Sequence, residues 1–195
     1  MKKTWLAGAF ALIFFPAVFA FSEHPSKIQD QDSDLTEEKE EISFNPRDDY
    51  IFGVGTMVGG PLGSVGIIAD FNWYSAANAG IGAGSGIYFD TYMAHIKHLF
   101  LDRRFTPYVG GGIAYWKSTS SAQEIAKKSE TATKLGMVSP NGDHLKKGIL
   151  LLPVSLGVHY ISDLGLALFV EGEYLISLTN LKGTPYAALG LQWYF

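Results

Sequence analysis

The stretch GILLLPVSLGVHYISDLGLALFVEGEYLISL, residues 148 to 178, decides the fold. Leu150, Leu152, Val154, Leu156, Val158 and Tyr160 recur at every second residue, with Ser155, Gly157 and His159 between them. This is the period of a strand rather than of a helix. After Ser162-Asp163-Leu164-Gly165 the alternation resumes, with Leu166, Leu168, Val170, Tyr174 and Ile176 on one parity and Glu171 and Glu173 on the other. Two alternating runs about a short turn read as an antiparallel hairpin.

Working outward, the same period fills most of the chain from Tyr50 onward. Eight segments emerge, at 50–58, 64–74, 79–89, 91–101, 105–116, 148–161, 164–178 and 184–195. One parity gathers Phe52, Val54, Ile67, Phe71, Trp73, Ile81, Phe89, Ile113 and Tyr115, together with the large residues of the opening stretch, and is almost free of charge. The other holds Asp70, His95, Lys97, His159, Glu171 and Glu173 among many glycines. Glycines and a few ions suit the crowded interior of a narrow barrel, and a continuous apolar face suits lipid. A soluble barrel that binds a greasy ligand would turn the large side chains inward, leaving the glycine face to water. The reading is therefore an all-β, eight-stranded antiparallel up-and-down transmembrane β-barrel, apolar side out.

Strand direction offers an independent check. If Tyr50 starts at the periplasmic rim, that rim receives Tyr50, Trp73, Phe100, Phe105, Tyr160, Trp193 and Phe195, and the opposite rim receives Phe89, Tyr92, Tyr115 and Tyr174. Two aromatic belts mark two membrane interfaces. Connections at 75–80, 102–104 and 162–165 are short and fall on the periplasmic side. The outer side takes GGPLGS (59–64), a tight turn at Phe89-Asp90-Thr91, NLKGTP (180–185) and one long loop, 117–147.

The chain ahead of Tyr50 is different in kind. Residues 1–20, MKKTWLAGAFALIFFPAVFA, pair two lysines with an apolar run too short to span and a small-residue site, the pattern of a secretory signal cleaved after Ala20. Residues 21–49 hold ten acidic and three basic residues and few large apolar ones, so they read as a disordered acidic periplasmic arm. The domain layout is thus signal (1–20), arm (21–49) and barrel (50–195). With 22 glycines and no cysteine, the chain is neither a helical bundle nor stapled by disulfides. Its formal net charge of −4 offers no basic footprint for nucleic acid.

The signal, the eight alternating segments, YVGGGIAYW (108–116) and the aromatic terminus GLQWYF (190–195) together resemble the small outer-membrane barrels of Gram-negative bacteria, the OmpA/OmpX type. The resemblance covers residues 50–195 and is one of architecture. It implies a bacterial outer-membrane location and passage through the outer-membrane assembly machinery. Leu189, Leu191, Trp193 and Phe195, the outward parity of the last strand, resemble that machinery's C-terminal recognition signal. Unlike OmpA itself, the chain carries no peptidoglycan-binding domain after the barrel, so tethering to the cell wall is not implied.

Asp70, His95, Lys97, His159, Glu171 and Glu173 form a predicted lumen charge network, structural because buried charges need partners and eight strands leave little room for water. A lipid-A hydrolase built on His159, Ser162 and Glu171 is disfavoured, since His and Ser three apart on a strand face opposite sides. Asp143-His144 in the long loop is too common a pair to specify acyl transfer. Asp30 to Glu41 match the ligand positions of a calcium loop, but Leu35 stands where that loop needs glycine. No catalytic, cofactor or metal residue is expected.

In loop 117–147 a short helix is predicted over Ala122–Leu135, ended by Gly136. Its six lysines, Lys117, Lys127, Lys128, Lys134, Lys146 and Lys147, face three acidic residues and would meet lipopolysaccharide phosphates. The expected protein is a monomeric, non-enzymatic surface barrel in outer-membrane lipid. Its long loop would serve envelope integrity or adhesion to a host or surface partner. A narrow channel for small or apolar solutes and a lipid-A-modifying enzyme are the alternatives.

Overall fold

The computed structural model describes residues 46–74, 76–119, 123–139 and 144–195. The signal, the calcium-loop match, Asp143 and most of the acidic arm lie outside them. Eight strands follow in order: β1 Phe52–Gly59, β2 Val65–Asn72, β3 Ala77–Ser85, β4 Phe89–Leu99, β5 Phe105–Ser118, β6 Gly148–Ile161, β7 Leu166–Ser177 and β8 Gly183–Tyr194. Each pairs antiparallel with the next, and β8 returns to β1 with Gly53 opposite Tyr194 and Val58 opposite Leu189, closing the barrel. Closure pairs the backbone groups that an open edge would leave to lipid.

Alternation sets the two faces. On β6 every even residue from Leu150 to Tyr160 stands on the outer wall, where Leu150, Leu152, Val154, Leu156, Val158 and Tyr160 are all exposed. The wall is apolar between an outer belt with exposed Tyr92, Tyr115 and Tyr174 and a lower belt with Phe52, Trp73, Phe100, Phe105, Tyr160, Trp193 and Phe195. From Phe105 to Tyr115, at ~3.3 Å per residue and a tilt of ~40°, the wall stands about 25 Å tall. That is the height of the apolar band of an outer-membrane barrel.

The structure corrects several expectations. β3 stops at Ser85 and β4 starts at Phe89, so the turn is Gly86–Tyr88, closed by Gly86 N–H donating to Phe89 O at 2.7 Å. Phe89 thereby shares the inward parity of Thr91 and Met93; it is buried and stacked on Trp116, with centroids 3.7 Å apart. Residues 46–49 are not part of a solvated arm. They form a helical turn, α1 Pro46–Asp49, with Pro46 and Arg47 buried. Tyr50 precedes β1, half-buried, and its hydroxyl donates to Asp163 O at 2.6 Å.

The predicted loop helix is two helices, α2 Gln123–Lys128 and α3 Glu130–Lys134. They divide at Ser129, whose hydroxyl accepts from Ala132 N as the cap of α3. Gly136 ends the second with a φ of 76°, a conformation glycine adopts without strain. Finally, the GGPLGS connection does not project outward. It folds into the barrel as a 3-10 turn, Gly60–Leu62, with Leu62 fully buried.

Candidate functional site

The lumen is filled in three layers, and each layer uses a different chemistry. At the short-turn end of the barrel, expected to be periplasmic, α1 delivers Arg47 into the lumen. Its guanidinium donates to Arg103 O, to Arg104 O and to His159 Nδ1, the last at 2.9 Å. Beside it Asn72 donates to Tyr50 O at 2.8 Å, and Asn78 donates to Asn72 Oδ1 at 3.0 Å. Burial pulls the Arg47 guanidinium below its ordinary value, while the nearby Asp102 and Asp48 carboxylates oppose that shift. For Asp48 a little burial, then Asp102 and Asp49, push the carboxyl upward.

The middle layer holds the charged residues. Gln192 donates to Asp70 Oδ2 at 2.7 Å, and His95 Nε2 stands 3.3 Å from Asp70 Oδ1 without hydrogen-bond alignment. Lys97 Nζ lies 3.5 Å from Glu171 Oε2, to which the Tyr108 hydroxyl donates at 2.6 Å. The same ammonium sits 4.1 Å from the Phe169 ring centroid and 4.8 Å from that of Tyr108. A desolvated cation between two aromatic faces and a carboxylate is well compensated. Glu173 stands one inward position above Glu171, and its Oε2 lacks a hydrogen bond. All of Asp70, Lys97, His159, Glu171 and Glu173 are buried.

Glycine makes this layer possible. A Cβ on Gly80 would strike Asp70, and one on Gly110 would stand 2.5 Å from Ser155 Oγ. A cavity between Pro61, His95, Lys97, Glu171 and Glu173 measures about 20 Å³. That is room for roughly one water molecule.

The outer layer is apolar, and no parity argument from the sequence had placed it there. Met57, Leu62, Phe89, Met93, Trp116, Ile149, Leu151 and Leu175 form one buried cluster with Ala126, Ala132, Leu135, Met137 and Val138 of the long loop. The inward-folded turn is tied at its centre. Pro61 O accepts from Trp116 Nε1 at 2.7 Å and from Thr91 Oγ1 at 2.9 Å. Above it the long loop lies as a lid, held by the Tyr88–Ser129 hydroxyl contact at 3.1 Å and by Asn180 donating to Lys134 O at 3.1 Å. Burial raises the Tyr88 phenol above its ordinary value.

The predicted loop lysines do not gather at one place. Lys127 is half-buried on α2 and pairs with Glu124 at 3.2 Å, while Lys128 and Lys134 are exposed on the lid. Lys117, Lys146 and Lys147 are exposed at the top of the β5–β6 seam. Among the described residues no serine hydroxyl is bonded to a histidine. Ser162 Oγ accepts from Leu166 N instead, and His144 is exposed.

No sequence family matches the chain, and neither does any curated protein. Among solved structures it is similar to the N-terminal β-barrel domain of Pseudomonas aeruginosa OprF, with a TM-score of 0.52 at 12% identity over 74% of this chain and 96% of that one. It also matches the Yersinia pestis outer membrane protein Ail, with a TM-score of 0.41 at 10% identity over 75% and 99% of the two chains. A de novo designed transmembrane β-barrel matches with a TM-score of 0.41 at 15% identity over 74% and 95%. The closed eight-strand topology, the apolar wall between two aromatic belts and the likeness to the OprF barrel give this chain the fold of the small eight-stranded outer-membrane β-barrels and support a place in that membrane.

Proposed function

We propose that this is a sealed, non-enzymatic outer-membrane barrel whose working surface is the lid that α2 and α3 form within the 117–147 loop. Export with a signal cleaved after Ala20, delivery through the outer-membrane assembly machinery and a monomeric state complete the reading. One observation carries it: the lid's underside is built into the same apolar cluster as the plug and the barrel wall. A loop that only closed a strand connection would not need this anchoring, whereas a surface that must hold a shape for a partner does. Its roles would be envelope integrity, through lipopolysaccharide, and adhesion to a host or surface partner.

The test is a barrel in which residues 119–147 are replaced by a short turn. Correct folding, read by heat-modifiable gel mobility, should accompany increased detergent sensitivity of cells or lost adhesion. A folded replacement with unchanged detergent sensitivity and adhesion sinks the reading.

A narrow channel is the second reading, favoured by the polar lower lumen. Against it stand the plug and a cavity of one-water size. Steady conductance from the purified barrel in a planar bilayer would establish it.

A further inference from the structure

We infer that the phosphates of an outer-leaflet lipid are held at the β5–β6 seam by Lys117, Lys146 and Lys147, and not by the lysines of the lid. The inference rests on the proposed contact between this loop and lipopolysaccharide, and assigns that contact to a place on the wall.

Position is the first argument. Ile113, Tyr115 and Lys117 share the outward parity of β5, and both Ile113 and Tyr115 are exposed. Tyr115 pairs across the strands with exposed Tyr92, so the two phenols mark the outer interface. Lys117 lies two residues further out, at most ~7 Å above them along the strand. That is the depth of lipid phosphates rather than of acyl chains or of bulk water.

Register brings the other two lysines to the same spot. Lys117 pairs with Gly148, Ser118 N donates to Lys147 O at 3.0 Å, and Ser118 Oγ donates to Lys146 O at 2.7 Å. The Tyr115 hydroxyl lies in the space a Cβ at Gly148 would fill. The backbone positions of the three lysines therefore adjoin above one tyrosine, Lys117 with the outward parity of Tyr115 and Lys147 opposite Ser118, and all three side chains are exposed.

Charge is the second argument. Among the described residues no salt bridge involves Lys117, Lys146 or Lys147, whereas Lys127 is already paired with Glu124. The lid lysines share α2 and α3 with Glu124 and Glu130. The acidic residue in register with the seam is Asp90, opposite Lys117, and its Oδ1 accepts from Ser85. The lid helices also turn Ala126 and Ala132 into the buried cluster at the barrel mouth, so they are packed on the plug and not on the β5–β6 seam.

The test uses the full barrel in a sugar-headgroup detergent that carries no phosphate. Hexa-acyl lipid A, dephosphorylated lipid A and inorganic phosphate are titrated separately, and binding is read from the shift in thermal unfolding. Lys117→Gln/Lys146→Gln/Lys147→Gln should weaken lipid A binding by roughly 10- to 100-fold, from a few-fold per lysine. Lys127→Gln/Lys128→Gln/Lys134→Gln should stay within about 2-fold, and Asp90→Asn should tighten binding by a few-fold. Dephosphorylated lipid A should bind the native barrel as weakly as lipid A binds the seam variant. Loss in the lid variant alone overturns the seam assignment and leaves the loop–lipid reading standing. Full binding by both triple variants overturns both. Equal stabilisation by inorganic phosphate overturns a lipid as the source.

Discussion

Trp116 Nε1 donates to the carbonyl oxygen of Pro61 at 2.7 Å, so a residue of the barrel wall holds the centre of a loop that has turned inward. Thr91 donates to the same oxygen from the neighbouring strand. The plug is thus fastened by two strands through one acceptor, inside an apolar layer where an unmade hydrogen bond is expensive.

Trp116→Phe keeps a ring against Phe89 and removes that donor. A loss of about 1–3 kcal/mol is expected, measured by urea unfolding from lipid vesicles. Combined with Thr91→Val it leaves Pro61 O without either donor, and the double variant should show brief conductance events where the native barrel shows none. Native-like stability of the double variant would contradict a fastened plug.

Lys97 is the ammonium of the middle layer, against Asp70, Glu171 and Glu173. Lys97→Met preserves length and volume but strands these carboxyls in a buried layer. A cost of ~3–5 kcal/mol is expected, because breaking one side of a buried ion pair leaves the other uncompensated. Adding Glu171→Gln should recover part of it. If the double variant is as unstable as the sum of the two single ones, Lys97 and Glu171 are not coupled.

How far the sequence made this visible depends on which question is asked of which residue. Parity alone places Glu171 and Glu173 inside and Leu168 and Val170 outside, since a strand offers two faces and lipid accepts only one of them. It fails at Phe89, because the turn expected at Phe89-Asp90-Thr91 lies at Gly86–Tyr88, and moving a turn by a few residues reverses a side chain. The plug was hidden for another reason. Gly59, Gly60 and Gly63, all with positive φ, announce a tight turn at GGPLGS, but whether it folds in or out is decided by Trp116 and Thr91 more than twenty-five residues away. Likewise Arg47 looked like one charge in an acidic arm. Its burial depends on acceptors at Arg103, Arg104 and His159 that only the closed barrel assembles.

That burial yields a prediction at the short-turn end of the barrel. Arg47→Ala removes the donor to two turn carbonyls and to His159 Nδ1. Destabilisation of about 1.5–3 kcal/mol is expected for lost charged hydrogen bonds. The loss should be local, with faster amide hydrogen exchange at Ile161, whose N–H donates to Arg104 O, than at Leu150 in the same strand. Uniform acceleration along β6 would instead indicate a global effect.

The last prediction concerns closure. Phe195 is bonded to Phe52 in both directions, Phe52 N donating to Phe195 O at 3.1 Å and Phe195 N donating to Phe52 O at 2.8 Å, with its ring exposed on the lower belt beside exposed Trp193. A polar side chain there forfeits an aromatic anchor worth roughly 1.5–3 kcal/mol of apolar transfer, at the seam that closes the barrel. Removal of residues 22–45 leaves α1 and that seam in place. Phe195→Ser should therefore reduce the fraction of heat-modifiable barrel recovered from cell membranes severalfold, and deletion of 22–45 should leave it within about twofold, because closing the β1–β8 edge removes unpaired backbone from lipid and the acidic arm does not. A further variant separates the backbone from the ring: a Cβ at Gly55 would collide with Leu191 O across the same seam, so Gly55→Val should impair assembly even with Phe195 intact. Equal recovery of Phe195→Ser and the arm deletion would refute the anchoring role of Phe195, and normal recovery of Gly55→Val would show that the seam tolerates separation.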